Sequence, residues 1–132
     1  MKNEEPSQSD DFFRRIGLAL GPYQLIEEYL KFYIEVAHTK IEKTLNGRIA
    51  FRYPRKEYEN APLERLITMF SRHSDNDDLV TRLRAALKDR NYIAHSSIGH
   101  YRREKNPETA ESILGQLQKL EDGGYDLIED LN

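Results

Sequence analysis

Residues 23–45 have the sequence YQLIEEYLKFYIEVAHTKIEKTL. Apolar residues recur in this stretch at spacings of three and four, which is the period of one face of an α-helix. The members of this face are Leu25, Ile26, Tyr29, Leu30, Tyr33, Ile34, Ala37 and Ile41. The stretch predicts the central helix of an all-α fold. No part of the chain shows the alternation of apolar and polar residues that is typical of a β-strand.

A second helical pattern precedes this helix. Ser9, Asp10 and Asp11 lead into Phe12, Phe13, Ile16 and Leu20, so a first helix is expected to begin there. Gly21-Pro22 is expected to separate this helix from the central one or to kink it, because proline lacks a backbone N–H and disrupts a helix interior.

Asn46-Gly47 is expected to end the central helix, and a loop is expected over 46–61. The periodicity predicts three further helices, for an up-and-down bundle of four to five helices in all. Their expected bounds are about Pro62 to Ser71, near Asp77 to the Arg90 segment, and Pro107, with Asn106 as cap, to Gly123-Gly124.

Length and composition predict one intracellular domain. The 132 residues suffice for one hydrophobic core, with a flexible N-terminus at 1–9 and an acidic tail at 123–132. The chain has no cysteine, which excludes disulfides, thiolate zinc sites and a cysteine nucleophile. No apolar run is long enough to span a bilayer, and the polar start lacks the apolar core of a secretion signal, so a cytoplasmic location is expected. No cofactor or metal is expected.

Charge is distributed unevenly along the chain, although the net charge is only −3. Residues 82–105 include seven basic and two acidic side chains, whereas 106–132 include one basic and seven acidic ones. The basic stretch is compatible with a polyanion such as RNA, and equally with an ordinary solvated helix face.

Arg90 is the polar residue that most needs an explanation. It falls within about 20° of Leu83 on a helical wheel, at the centre of an apolar stripe, where an unpaired guanidinium is costly. A phosphate-binding cleft would explain it, as would a side chain that extends to solvent. Asn91 and His95 are four apart, close enough for the amide to hold the imidazole. His95 lies about 140° from Arg90, so the two converge only if the helix frays or a second subunit contributes.

Arg90-Asn91 followed by His95, at the end of a helix in a small bundle, resembles the motif of HEPN ribonucleases, in which four to six residues separate an Arg from a His. The polar residue after the Arg also fits that family. The resemblance implies a homodimer in which paired motifs form one metal-independent RNA-cleaving site, as in toxins and antiviral defence effectors. It assigns catalysis to Arg90, Asn91 and His95.

Other residues enter with this resemblance in lesser roles. Either Glu27 or Glu28 is a candidate for the family's acidic residue, and His100 is a second candidate histidine near the site. A basic connection after the fourth helix would place Arg102, Arg103 and Lys105 along the RNA backbone. In HEPN toxins controlled by nucleotidyltransferase antitoxins, a Tyr two positions after the His can be modified. Ser97 stands there, so that mode of control is not transferred, while an antitoxin or regulatory partner of another kind stays open.

Two other classes of function compete with the nuclease. One is a noncatalytic HEPN-like module that binds a nucleotide, RNA or a protein partner, because a fold alone does not determine activity. The other is an adaptor whose Arg90 forms an ion pair across a dimer interface. His38 is expected to be a hydrogen-bonded structural histidine, and Tyr53 and Tyr58 are expected to anchor the middle loop.

Overall fold

The computed structural model describes residues 8–103 and 107–132, and within these ranges it is an all-α helical bundle without strands, as predicted. The helices are α1 (Gln8–Leu45), α2 (Lys56–Glu59), α3 (Leu63–Ser71), α4 (Asp77–Asn91), α5 (Ser97–Arg103) and α6 (Pro107–Leu131). A π-helical turn, Tyr92–Ser96, joins α4 to α5 without a break. The predicted flexible segment falls mainly on residues outside the described ranges, as does the Asn106 cap.

The first helix continues through Pro22, where a break or a kink was predicted. Proline removes one backbone hydrogen bond, but the Pro22 ring is fully buried. Gly124 of α6 comes so close that a Cβ built on it would lie 2.8 Å from two Pro22 ring carbons. The neighbouring Tyr23 donates its hydroxyl to the backbone oxygen of Leu120 at 2.7 Å. Packing against α6 therefore offsets the missing hydrogen bond, and α1 remains one helix.

The last helix likewise continues past Gly123-Gly124, so the prediction that these glycines end it is wrong, and the acidic residues of 123–132 belong mostly to the helix. Leu127 and Leu131 are buried on one face of this final stretch, while Asp126 and Glu129 are exposed on the other. Burial of the two leucines stabilises the helical continuation. Gly124 is a position of close helix packing and does not act as a stop signal.

The turn after α1 follows the prediction. Asn46 and Gly47 have φ angles of 48° and 77°, in the left-handed region that asparagine and glycine adopt more readily than other residues. The loop that follows contains the single-turn helix α2, which buries Tyr58.

The chain divides into two compact units, and α1 and α4 contribute residues to both. The first unit combines α1 up to Gln24 with the chain from Lys88 onward, and the second comprises residues 25–87. In the first unit the core is formed by Phe12, Ile16, Ala19, Tyr23, Ile93, Ala110, Ile113, Leu117, Leu127 and Leu131. In the second it is formed by Ile26, Leu30, Ile34, Tyr58, Leu63, Leu66, Ile67, Met69, Phe70, Leu83 and Ala86.

Candidate active site

The motif lies within a continuous helix and not at a helix end. The predicted basic connection after His95 is therefore wrong in part, because the π turn leads directly into α5. Arg102 and Arg103 are exposed at the end of α5, and Lys105 lies outside the described residues. The backbone N–H of Ser97 donates to the carbonyl of Tyr92, five residues earlier, which defines the π turn. Such turns are rare and are often found at functional sites.

The π turn changes the angle between Arg90 and His95. In a regular α-helix the two would be about 140° apart. A π turn closes over one more residue than an α turn, so residues five apart approach the same face. His95 lies inside the turn and Arg90 lies two residues before it, so the wider winding applies to part of the interval between them. A helical wheel of constant rotation therefore overstates the angle between the two positions, and His95 remains helical.

The three motif side chains are accessible, and two of them interact. Arg90 is half-buried, whereas Asn91 and His95 are exposed. The Arg90 Nη1 donates to the Asn91 Oδ1 at 3.3 Å. Asn91 was expected to hold His95, but its oxygen accepts from Arg90, and His95 has no hydrogen-bond partner among the described residues. The arrangement presents a guanidinium and an imidazole to solvent, and these two groups can bind a phosphate and transfer a proton.

His100, the second candidate histidine, contacts the side chain of Tyr92, a partner that the sequence did not suggest. The Tyr92 hydroxyl, at the start of the π turn, lies 3.1 Å from the His100 Nδ1. The same hydroxyl donates to the Gln116 Oε1 of α6 at 3.4 Å. Burial raises the pKa of Tyr92, so the hydroxyl keeps its proton and can act as a donor. Gln116 is 24 positions from Tyr92, and no local spacing pattern could have indicated the pair.

Asp89 is a further titratable group next to the motif. Its carboxyl is half-buried, and this burial raises its pKa. Its charge also contributes to the raised pKa of Tyr23, whose main cause is burial. No sequence pattern singles out Asp89, since acidic residues are common on helix surfaces.

The two candidate acids from the early helix belong to the second unit. Glu28 is exposed and forms an ion pair with Lys31 at 3.1 Å, one helical turn away. Glu27 is half-buried. Nothing in the geometry of that unit assigns either one to the motif.

The second unit contains a separate cluster around His38. His38 is 6% exposed, and its Nε2 lies 3.2 Å from the Nε2 of His73. The rings of Phe51, Tyr53 and Tyr58 surround it, so the two tyrosines contact the bundle as expected of anchors. Burial, and then the neighbouring His73, lower the pKa of His38 to about 4. This is the environment of a structural histidine, which stays neutral at physiological pH.

Neither a membrane span nor a metal-binding cluster is found in the ranges 8–103 and 107–132. None of the helices there combines the length and the apolarity needed to cross a bilayer. No group of three or more potential His, Asp or Glu ligands converges in those ranges.

Compared with protein-family models, curated proteins and solved structures, the chain matches none of them. The likeness to HEPN ribonucleases therefore depends on the motif and its setting in an all-α bundle.

Proposed function

We propose that the protein is a metal-independent endoribonuclease of the HEPN type. The reaction is the attack of a ribose 2′-hydroxyl on the adjacent phosphodiester, which releases a 5′-hydroxyl and leaves a 2′,3′-cyclic phosphate. His95 of one subunit removes the proton from the 2′-hydroxyl, and His95 of the partner subunit protonates the leaving 5′-oxygen. Arg90 stabilises the charge that develops on the phosphoryl oxygens, and Asn91 orients Arg90.

The observation that carries this proposal is the π turn Tyr92–Ser96, which begins two residues after Arg90 and contains His95. Its wider winding supports a smaller angle between these two positions than a regular α-helix gives, and His95 has no hydrogen-bond partner in the described residues. An exposed imidazole is accessible to a substrate and can accept or donate a proton through either ring nitrogen. Neither step needs a metal ion.

The biological setting that fits this chemistry is a cytoplasmic toxin or defence effector that acts as a homodimer. Free ribonuclease activity is harmful to its host, so an antitoxin or regulatory protein is part of the proposal. Exposed Arg102 and Arg103 at the end of α5 would contact the RNA backbone.

The decisive experiment is cleavage of a labelled RNA pool in EDTA by the wild type, Arg90→Ala and His95→Ala. Cleavage by the wild type alone, with cyclic or 3′-phosphate ends, is the expected result. Both substitutions should lower kcat by roughly 100-fold or more, since each removes a group that acts in the transition state. Arg48→Ala, at an exposed arginine of the second unit, is the matched control and should cleave like the wild type. The oligomeric state of each protein is measured in parallel.

A noncatalytic binding module is the second candidate, and one observation favours it. Arg90 already donates to Asn91, and His95 lacks the neighbour that commonly fixes the tautomer of a catalytic histidine. A wild type that binds a labelled RNA oligonucleotide without cleaving it, and loses that binding in Arg90→Ala, would replace the nuclease with this module.

A further inference from the structure

Ser97 lies at the junction of the π turn and α5, and it satisfies two carbonyl groups at once. Its backbone N–H donates to the Tyr92 oxygen, five residues earlier. Its hydroxyl donates to the Ile93 oxygen, four residues earlier, at 2.7 Å. Ser97 is completely buried, as is Ile93.

The second bond reaches the carbonyl that the backbone N–H of Ser97 would bond in a regular helix. In an α-helix the Ile93 carbonyl would accept from the backbone N–H of Ser97. That N–H donates to Tyr92 instead, and the hydroxyl of the same residue donates to the Ile93 carbonyl. Water cannot easily reach a buried carbonyl, so loss of a protein donor at this position should destabilise the winding. The Ser97 hydroxyl thus bonds the carbonyl that the Ser97 N–H would bond in an α-helix.

We infer that Ser97 is a positioning residue: its hydroxyl maintains the π turn, and the π turn sets the angle between Arg90 and His95. The Tyr92 hydroxyl, bonded to His100 and Gln116, holds the opposite end of the same turn. The consequence for catalysis rests on the proposed nuclease function, whereas the consequence for helix winding does not.

Ser97→Ala tests the inference, and Ser96→Ala is its matched control. Both remove one hydroxyl from adjacent serines, but Ser96 is exposed while Ser97 is buried and bonded. Amide hydrogen exchange, followed by NMR at residues 95–97, should speed up roughly tenfold or more in Ser97→Ala, because the π-turn bonds open more often. Ser96→Ala should exchange like the wild type.

RNA cleavage provides the second readout. Ser97→Ala should lower kcat by roughly 10- to 100-fold with little change in KM, because misplacement of a reacting group acts on the chemical step. Ser97→Thr keeps the hydroxyl, which in helices can bond the same carbonyl, and should recover most of the lost kcat. Circular dichroism establishes that each variant is folded.

Wild-type exchange and wild-type kcat in Ser97→Ala would overturn the inference. Equal loss of activity in Ser97→Ala and Ser97→Thr, together with partial unfolding, would also overturn it and assign Ser97 to bundle stability alone. A wild type that does not cleave RNA would contradict the proposed function, and hydrogen exchange would still decide whether Ser97 maintains the turn.

Discussion

His38 stays uncharged at neutral pH because aromatic rings exclude water from it and His73 lies against its Nε2. The pKa of His38 is about 4 in the folded protein, whereas an unfolded histidine titrates near 6.5. The unfolded chain therefore binds a proton between these two values and the folded chain does not. The stability contributed by this group is fully present above pH 6.5 and is lost as the pH falls towards 4.

We predict that the free energy of unfolding falls between pH 6.5 and 4, by at most about 1.4 kcal/mol per pH unit from this one group. His38→Phe keeps an aromatic ring at the site and removes the titration, so its free energy of unfolding should depend less on pH. Urea unfolding of both proteins across this range provides the measurement. The difference between the two curves isolates His38 from the carboxylates that titrate nearby, and parallel curves would contradict the prediction.

The contact of α1 with α6 depends on a glycine. Gly124 lies against the Pro22 ring, and a methyl group added there would meet ring carbons at 2.8 Å and a Tyr23 ring carbon at 3.3 Å. A proline ring cannot rotate away. Gly123, the adjacent residue of the same helix, has open space around the corresponding position.

Gly124→Ala should therefore destabilise the protein by about 1–3 kcal/mol through overpacking. Gly123→Ala should leave stability unchanged or raise it by up to about 1 kcal/mol, since alanine is the better helix former. Chemical denaturation of the pair separates the two effects, because both changes add one methyl group to neighbouring helical positions. Equal stability of the two variants would show that the helices can move apart at low cost.

A partly buried ion pair also joins α1 to α6. The Arg15 Nη2 donates to the Glu121 Oε2 at 2.7 Å, and Gln118 donates to the same oxygen. The two charged side chains are 20% and 13% exposed, so a lone charge there would be only partly hydrated.

Glu121→Gln should thus cost about 1–3 kcal/mol of stability, since it leaves the Arg15 charge without its counter-charge. Arg15→Met removes the charge and keeps the apolar stem, and it should cost less than Glu121→Gln. The exposed Glu35–Arg55 pair is the control, and Glu35→Gln should change stability by less than about 1 kcal/mol. A smaller loss in Glu121→Gln than in Arg15→Met would refute the prediction.

At the scale of the whole molecule, the net charge of −3 conceals a basic stretch that continues into α5. Arg102 and Arg103 are exposed there. The proposed RNA binding through them should weaken as salt rises, because each neutralised phosphate releases a counterion.

We expect the combined change of Arg102 and Arg103 to Gln to reduce the slope of log K against log salt by about 1–2. Arg48 and Arg52, exposed in the second unit, provide a double variant with the same change in net charge, and it should keep the wild-type slope. The slopes are measured by fluorescence anisotropy with a labelled RNA. Equal slopes in all three proteins would place the RNA on another surface.

Periodicity predicted the all-α class and the start of α4 near Asp77, because both depend on local apolar spacing. The predictions of a helix break at Pro22 and a helix end at Gly124 were wrong. Both helices continue there because of contacts with residues far away in sequence. A helical wheel could not anticipate the π turn Tyr92–Ser96, because it assumes a constant rotation per residue. Arg90, Asn91 and His95 could be named as candidates from their spacing, whereas the Tyr92–Gln116 contact could not be predicted from sequence.

The π turn also has a consequence for sequence searches that look for the Arg-to-His motif in other chains. A sequence search counts the residues between the Arg and the His. Whether both side chains can contact one phosphate depends instead on the angle between them around the helix axis. A π turn that lies between two residues lets a spacing of five replace the spacing of four in an α-helix. Two homologous chains whose Arg-to-His spacings differ by a single residue can therefore present the same geometry, and an alignment gap at this point would mark a change of winding and not a lost site.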